Sequence, residues 1–160
     1  MTSRLSATCQ FDPEPELIAR IANSKHSIVI TQGFIASQAD GSTVVLGRGG
    51  SDTSAAYFAA KLQAERLEIW SDVPGLFTAN PRLVEDAKLL RVLSYDEAQE
   101  IATTGAKAHH PRCILPLKTH KIPLQLCATP YPNIEGTSIS HIPAIAGVKS
   151  IYDWIRINWI

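Results

Sequence analysis

The sequence has no surplus of charge, few cysteines and no long apolar run, and each shortage removes a class of function. Fifteen Lys and Arg balance fifteen Asp and Glu, so the chain lacks the basic excess that nucleic acid or an anionic membrane surface would favour as a partner. Its three cysteines, Cys9, Cys113 and Cys127, stand far apart with no Cys-x-x-Cys pair. That number and spacing read as reduced thiols of a cytoplasmic protein, not as a disulfide frame or a zinc site. No apolar run approaches the roughly 20 residues that span a bilayer, and the residues after Met1 lack the charged-then-apolar order of a secretion signal. Neither an internal repeat nor a low-complexity segment is visible. With 160 residues and 45% hydrophobic content, the chain is the size of one globular domain with a real core.

The most informative stretch is Leu46-Gly47-Arg48-Gly49-Gly50-Ser51-Asp52-Thr53-Ser54-Ala55-Ala56. Three glycines bracket one arginine, and the composition then switches to hydroxyl residues and alanines. Ser51, Asp52 or Thr53 can cap a helix that the alanines carry forward. A glycine loop entering a helix presents unpaired N–H groups and the positive end of a dipole, which suits an anion. Arg48 adds a planar fork able to grip a carboxylate or phosphate through two hydrogen bonds. The spacing also fits a plain strand-to-helix turn with a solvated Arg48. It is neither G-x-G-x-x-G nor the P-loop pattern.

Around this stretch the chain alternates helix and strand signals. Apolar residues Leu17, Ile18, Ile21 and Ala22 predict a short amphipathic helix ending near Asn23. Residues 27–31 form a β-branched run with the look of a strand buried on both faces, ended by Gly33. A hairpin-type turn at 39–42 leads to a short strand at 43–46, a helix over 51–64 and a strand at 67–70. Asp72 then stands at the carboxyl end of a strand, where open α/β sheets dock ligands, and Pro74-Gly75 suits a type II turn. Ser94 and Glu97 form a capping box for a helix that stops at Gly105. Pro111 opens a further helix to about residue 118, followed by strands at 123–127 and 136–139. The alternation predicts a parallel sheet with helices packed on it. His109 and His110 are adjacent and make a poor metal pair. Glu85, Asp86 and Asp96 read as solvated charges, and residues 151–160 show no clear pattern.

In this order the motifs resemble the aspartate kinases of the amino-acid kinase superfamily. The matching pieces are Thr31-Gln32-Gly33-Phe34, the glycine stretch ending in Ser51-Asp52, Ile69-Trp70-Ser71-Asp72-Val73-Pro74-Gly75, Asn80-Pro81-Arg82, Gly105-Ala106-Lys107-Ala108-His109-His110-Pro111, and Gly136-Thr137-Ser138-Ile139. The resemblance implies a three-layer αβα sandwich, the amino-acid kinase fold, in which ATP donates its γ-phosphoryl group to the β-carboxylate of L-aspartate, the first step toward lysine, threonine and methionine. It puts Arg48, Ser51 and Asp52 on the amino-acid substrate, with Asp52 pairing with the ammonium group in the catalytic site. It puts Gly33, Ser71, Asp72, Phe77, Arg82 and Lys107 on the nucleotide, and Mg²⁺ is expected to travel with ATP, with no protein metal site assigned. On spacing alone Asp72 reads as a turn cap, and Lys107 as a dipole-complementing residue at a helix end.

The departures from the family pattern set further expectations. Phe77, Ser71 and Asn80 stand where a tyrosine, a threonine and an aspartate are usual. The Lys-Phe-Gly-Gly-Thr-Ser-type phosphate loop with which family members begin has no counterpart here. Residues 1–140 therefore read as the nucleotide-proximal half of a kinase domain with its N-terminal part missing, and residues 141–160 as a linker and the truncated start of an ACT regulatory domain. The expected partners besides ATP and L-aspartate are a complementary kinase fragment or a second copy of the chain. The alternative reading is a non-catalytic kinase remnant that binds nucleotide weakly or packs against a full-length kinase.

Overall fold

The computed structural model describes residues 9–103 and 111–141. The first helix, α1 (Pro15–Ala22), begins where the sequence places a proline whose missing N–H costs nothing in a first turn. It buries none of its residues. Its apolar residues Leu17, Ile18 and Ile21 are half-buried, and its start is tied down by Glu14, whose N–H donates to Lys61 O at 2.9 Å and whose Oε2 pairs with Lys61 Nζ at 2.9 Å. Lys61 belongs to α2 (Gly50–Leu62), and Phe11 stacks on Tyr57 of the same helix.

Between these helices lies a hairpin of β1 (Ile35–Ser37) and β2 (Thr43–Val45). Asp40 Oδ1 closes its turn by accepting from Ser42 N–H at 2.9 Å and Ser42 Oγ–H at 2.7 Å, while Gly41 takes a φ of 80°. The run at 27–31 is not a strand. Ile28, Val29 and Ile30 are 76%, 57% and 92% exposed. A β-branched run becomes a strand only beside a neighbour that takes its backbone hydrogen bonds, and no strand among the described residues pairs with this one.

After α2 come β3 (Leu67–Ser71), β4 (Val92–Ser94), α3 (Tyr95–Thr103), a 3₁₀ turn at Pro111–Cys113, α4 (Ile114–His120), β5 (Leu124–Ala128) and β6 (Thr137–Ser140). The strands form one sheet in the order β3-β5-β6-β4. The sheet is mixed rather than parallel: β3 pairs with β5 and β4 with β6 in parallel, whereas β5 and β6 run antiparallel. Residues 129–136 explain this, because a connection that short cannot make the crossover of a dozen or more residues that parallel pairing requires.

The core lies where the helices meet one face of the sheet. Ala56 and Ala60 of α2, Ala98 and Ile101 of α3 and Leu117 of α4 pack with Leu124, Leu126 and Ile139. Alternation along β5 buries Leu124, Leu126 and Ala128 and leaves Gln125 and Cys127 half-buried, and on the same opposite face Glu68, Trp70 and Val92 are exposed. The expected capping box forms: Ser94 N–H and Oγ–H both donate to Glu97 Oε2, at 2.8 and 2.9 Å, and Glu97 N–H donates to Ser94 Oγ at 3.2 Å. Among the described residues no helix is long and apolar enough to cross a membrane.

The loop after β3 is pinned to the start of β6. A Cβ on Gly136 would collide with Leu126 O and Pro74 O, and one on Gly75 would meet Thr137. Thr137 is fully buried; its Oγ1 donates to Leu90 O at 2.6 Å and accepts from Leu76 N–H at 2.9 Å. Replacing it by valine leaves the buried Leu76 N–H without this partner and takes a donor from the half-buried Leu90 carbonyl. The Thr137→Val variant is therefore expected to lose about 2–4 kcal/mol in urea denaturation, with Thr137→Ser losing much less. A valine variant as stable as the parent would refute this account.

Candidate active site

The glycine stretch folds into the strand-to-helix turn that its composition suggests. Gly47 and Gly49 adopt φ of 77° and 66°, and Gly49 takes the N-cap position of α2 with no side-chain cap. Gly50 N–H donates to Gly47 O at 2.9 Å, and Thr53 N–H and Oγ–H both donate to Gly49 O. A cavity of about 470 Å³ opens over this turn, lined by Phe34, Arg48, Ser51 and the three glycines among others. Arg48 and Ser51 are exposed on it, and Arg48 makes no ion pair among the described residues. A cation and the first turn of a helix thus face one open volume, an arrangement suited to a carboxylate or phosphate.

Gly33 and Phe34 are drawn against the same turn. Phe34 has a φ of 72°, unusual for a residue with a side chain. Its N–H donates to Ser54 Oγ at 3.2 Å, and its carbonyl accepts from Leu46 N–H at 2.8 Å. Ser54 Oγ in turn donates to Ser51 O at 2.9 Å. The contact is too close for side chains: a Cβ on Gly33 would lie 2.8 Å from Ser54 Oγ, and one on Gly50 would lie 2.5 Å from Phe34 Cδ2. Arg112, from the 3₁₀ turn, reaches over to donate Nη2–H to Leu46 O at 2.7 Å. Neither Ser54 nor Arg112 stood out in the sequence. Ser54 sat among helix-forming hydroxyls, and nothing local tied residue 112 to residue 46.

A second group gathers at the carboxyl end of β3. Asp72 follows that strand directly, and its Oδ2 lies 3.7 Å from Arg82 Nη2, both side chains being largely exposed. Arg82 is aimed by a turn in which its N–H donates to Asn80 Oδ1 at 3.0 Å. Ser71 closes its own turn, Oγ donating to Val73 O at 2.9 Å and accepting Val73 N–H at 3.2 Å. Phe77 is half-buried and forms an isolated antiparallel bridge with Leu89. Among the described residues no hydrogen bond or ion pair joins Arg48 or Ser51 to Ser71, Asp72 or Arg82. Lys107, His109, His110, Gly105 and the segment 142–160 lie outside the described residues.

Asp52 is half-buried in the first turn of α2, where its charge complements the helix dipole. It also lies near Cys113: the Cys113 thiol, fully buried, is pushed up to about 12, first by burial and second by the negative charge of Asp52. The Asp52 side of the turn therefore approaches the 3₁₀ segment that also supplies Arg112.

This chain belongs to the amino acid kinase family, whose model matches residues 6–128. Within that family its relatives are aspartokinases. It is 46% identical to the lysine-sensitive aspartokinase 3 of Escherichia coli over 112 residues, which is 70% of this chain and 25% of that one. It is 43% identical to a bifunctional aspartokinase/homoserine dehydrogenase of Buchnera aphidicola over 135 residues, 84% of this chain and 16% of that protein. The crystal structure of E. coli aspartokinase III in complex with aspartate and ADP superposes with a TM-score of 0.72 at 43% identity, covering 79% of this chain and 28% of that one. The chain thus shares the amino-acid kinase fold and spans about a quarter of the length of these single-function aspartokinases.

The buried thiol gives a stability signature. Because the folded state keeps the Cys113 proton from its ordinary value of 9.0 up to about 12, while the unfolded chain releases it near 9, the folded state binds more protons in that window. Stability is unaffected by this group below pH 9 and falls above it, by up to about 1.4 kcal/mol per pH unit. Denaturation midpoints measured from pH 8 to 10.5 should decline, and Cys113→Ala should flatten that decline. An alkaline slope unchanged by the substitution would mean that the thiol is not held neutral.

Proposed function

We propose that this chain is the nucleotide-proximal half of an aspartate kinase site, serving transfer of the ATP γ-phosphoryl group to the β-carboxylate of L-aspartate. The observation that carries the reading is the Gly47–Ser51 turn, which offers Arg48 and a helix N-terminus to one cavity in a chain that matches aspartokinases. Carboxylate attack on phosphate asks little covalent chemistry of the protein. It asks that two anions be brought together and their charge offset. Arg48 and the first-turn N–H groups of α2 hold the substrate carboxylate, and Asp52 pairs with its ammonium group. Gly33 lets the backbone of its loop approach the transferring phosphate. Arg82, oriented by Asp72, and Lys107 neutralise the phosphates, while Phe77 keeps a stacking face and Ser71 borders the nucleotide.

Mg²⁺ accompanies the nucleotide in this reading and offsets phosphate charge, held largely by phosphate oxygens and water. Residues 1–140 form the kinase portion of a cytoplasmic enzyme, and residues 141–160 a linker and the start of an ACT regulatory domain. The exposed run Ile28-Val29-Ile30 supports completion by a complementary kinase segment or a second copy. The same exposure favours the second reading, a non-catalytic module that packs against a full-length kinase.

Calorimetry on the whole chain separates the two. Each charge-assisted contact is worth about 1.5–3 kcal/mol, or roughly 10- to 150-fold in affinity. Arg48→Ala is expected to weaken L-aspartate by at least that lower factor and spare MgADP; Arg82→Ala and Lys107→Ala are expected to do the reverse. Mixing the chain with the part of an aspartokinase that its match leaves uncovered should then yield aspartyl phosphate, trapped as hydroxamate. Equal heats in parent and variants, with no hydroxamate from any mixture, would leave only the packing role.

A further inference from the structure

We propose that Ser54 is a positioning residue that locks the Gly33 loop to the Arg48–Ser51 turn, so that the phosphate side and the carboxylate side of the site are held at one fixed separation. The inference rests on the phosphoryl-transfer reading above and adds to it a residue that touches neither ligand. A serine inside a helix commonly donates to the carbonyl three or four residues back, and Ser54 does so to Ser51 O at 2.9 Å. Taken alone, that bond is local and structural. The second bond reaches twenty residues back along the chain, where Ser54 Oγ accepts Phe34 N–H at 3.2 Å. A single hydroxyl thus spends its donor on the substrate turn and an acceptor on the phosphate loop.

The loop needs such a hold. A non-glycine residue in the left-handed region persists only where its surroundings over-determine it, and Phe34, at φ 72°, is held at three points. Its N–H meets Ser54, its carbonyl meets Leu46 N–H at 2.8 Å, and its ring lies over Gly50. Ser54 is only 5% exposed, so water does not replace its hydroxyl. Gly33 has no Cβ to push that hydroxyl away, since one would stand 2.8 Å from Ser54 Oγ. Alanine at 54 removes the partner of Phe34 N–H yet leaves the α2 backbone ladder intact. The loop is then free to relax, and a shift of about 1 Å between reacting groups is enough to cost a hundredfold in transfer.

Coupling between the two ligands reads this lock directly. L-aspartate is titrated calorimetrically into the full chain with and without saturating MgADP, and the ratio of the two affinities is the coupling factor. The parent is expected to show coupling of about fivefold or more, and Ser54→Ala to bring it below about twofold while each ligand alone still binds within about threefold of the parent. Ser54→Thr, which keeps the hydroxyl, should restore it. Tyr95→Phe serves as the control for general weakening, because it deletes a buried bond to Ile122 O remote from the turn; it should lower stability and leave the coupling alone. Parent-like coupling in Ser54→Ala, or an equal loss in Tyr95→Phe, overturns the proposal. A parent that binds both ligands without coupling also overturns it and spares the kinase reading, whereas a parent that binds neither removes both.

Discussion

The structure depends on backbone brought so close that a β-carbon has no place. In one place Gly33 and Gly50 let the Phe34 loop lie on the first turns of α2. In another, Gly75 and Gly136 let the loop after β3 lie on the start of β6. Both contacts join segments far apart in sequence, and each brings a loop carrying polar groups to the end of a regular element. Close packing makes such positions stiff: a side chain at Gly136 or Gly75 would press on backbone, and one at Gly33 or Gly50 on the Ser54 hydroxyl or the Phe34 ring.

The forces that hold the two approaches differ in kind from the groups they present. Beneath the surface the bonds are buried and paired, as with Thr137 between Leu76 and Leu90, and Ser54 between Phe34 and Ser51. At the surface the charges are open: the Asp72–Arg82 pair at 3.7 Å is largely solvated, and a pair of that type adds at most about 1 kcal/mol to stability. Arg48 is likewise exposed. The charges that do little for the fold are those left open to solvent. The division explains how a neutral chain can still present cations locally, since its acidic partners are spent elsewhere, as in Glu14 with Lys61.

Much of this could be read from the sequence wherever the cause was local. The capping box at Ser94 and Glu97, the proline-led α1, the Asp40-Gly41 turn and the glycine entry to α2 each depend on residues within a few positions of one another. Where the cause was a partner distant in sequence, the reading failed or was blind. Residues 27–31 had the composition of a strand, but pairing requires a neighbour, and composition cannot supply one. The sheet was expected to be parallel because helix and strand alternate, and the short 129–136 connection turned one pair of strands around. Three-residue strands such as β1 and β4 were too brief to leave a periodic signal. Ser54 and Arg112 escaped notice because their partners, Phe34 and Leu46, are 20 and 66 residues away.

The same distinction bears on how the exposed run relates to the site. Ile30 is almost fully exposed, and only three positions later Gly33 enters its tight contact with Ser54. If the loop took its position from strand pairing at 28–30, it would be undefined in this chain. It is instead fixed from its other side: the Phe34 N–H and carbonyl are both engaged, by Ser54 and Leu46, and both partners belong to the glycine turn and its flanks. Leu46 is itself held from a third direction, its carbonyl accepting from Arg112. The turn and the loop therefore form one closed circuit of hydrogen bonds that does not pass through the unpaired run. Residues 28–30 can therefore stay exposed while the edge formed by Gly33 and Phe34 keeps its shape.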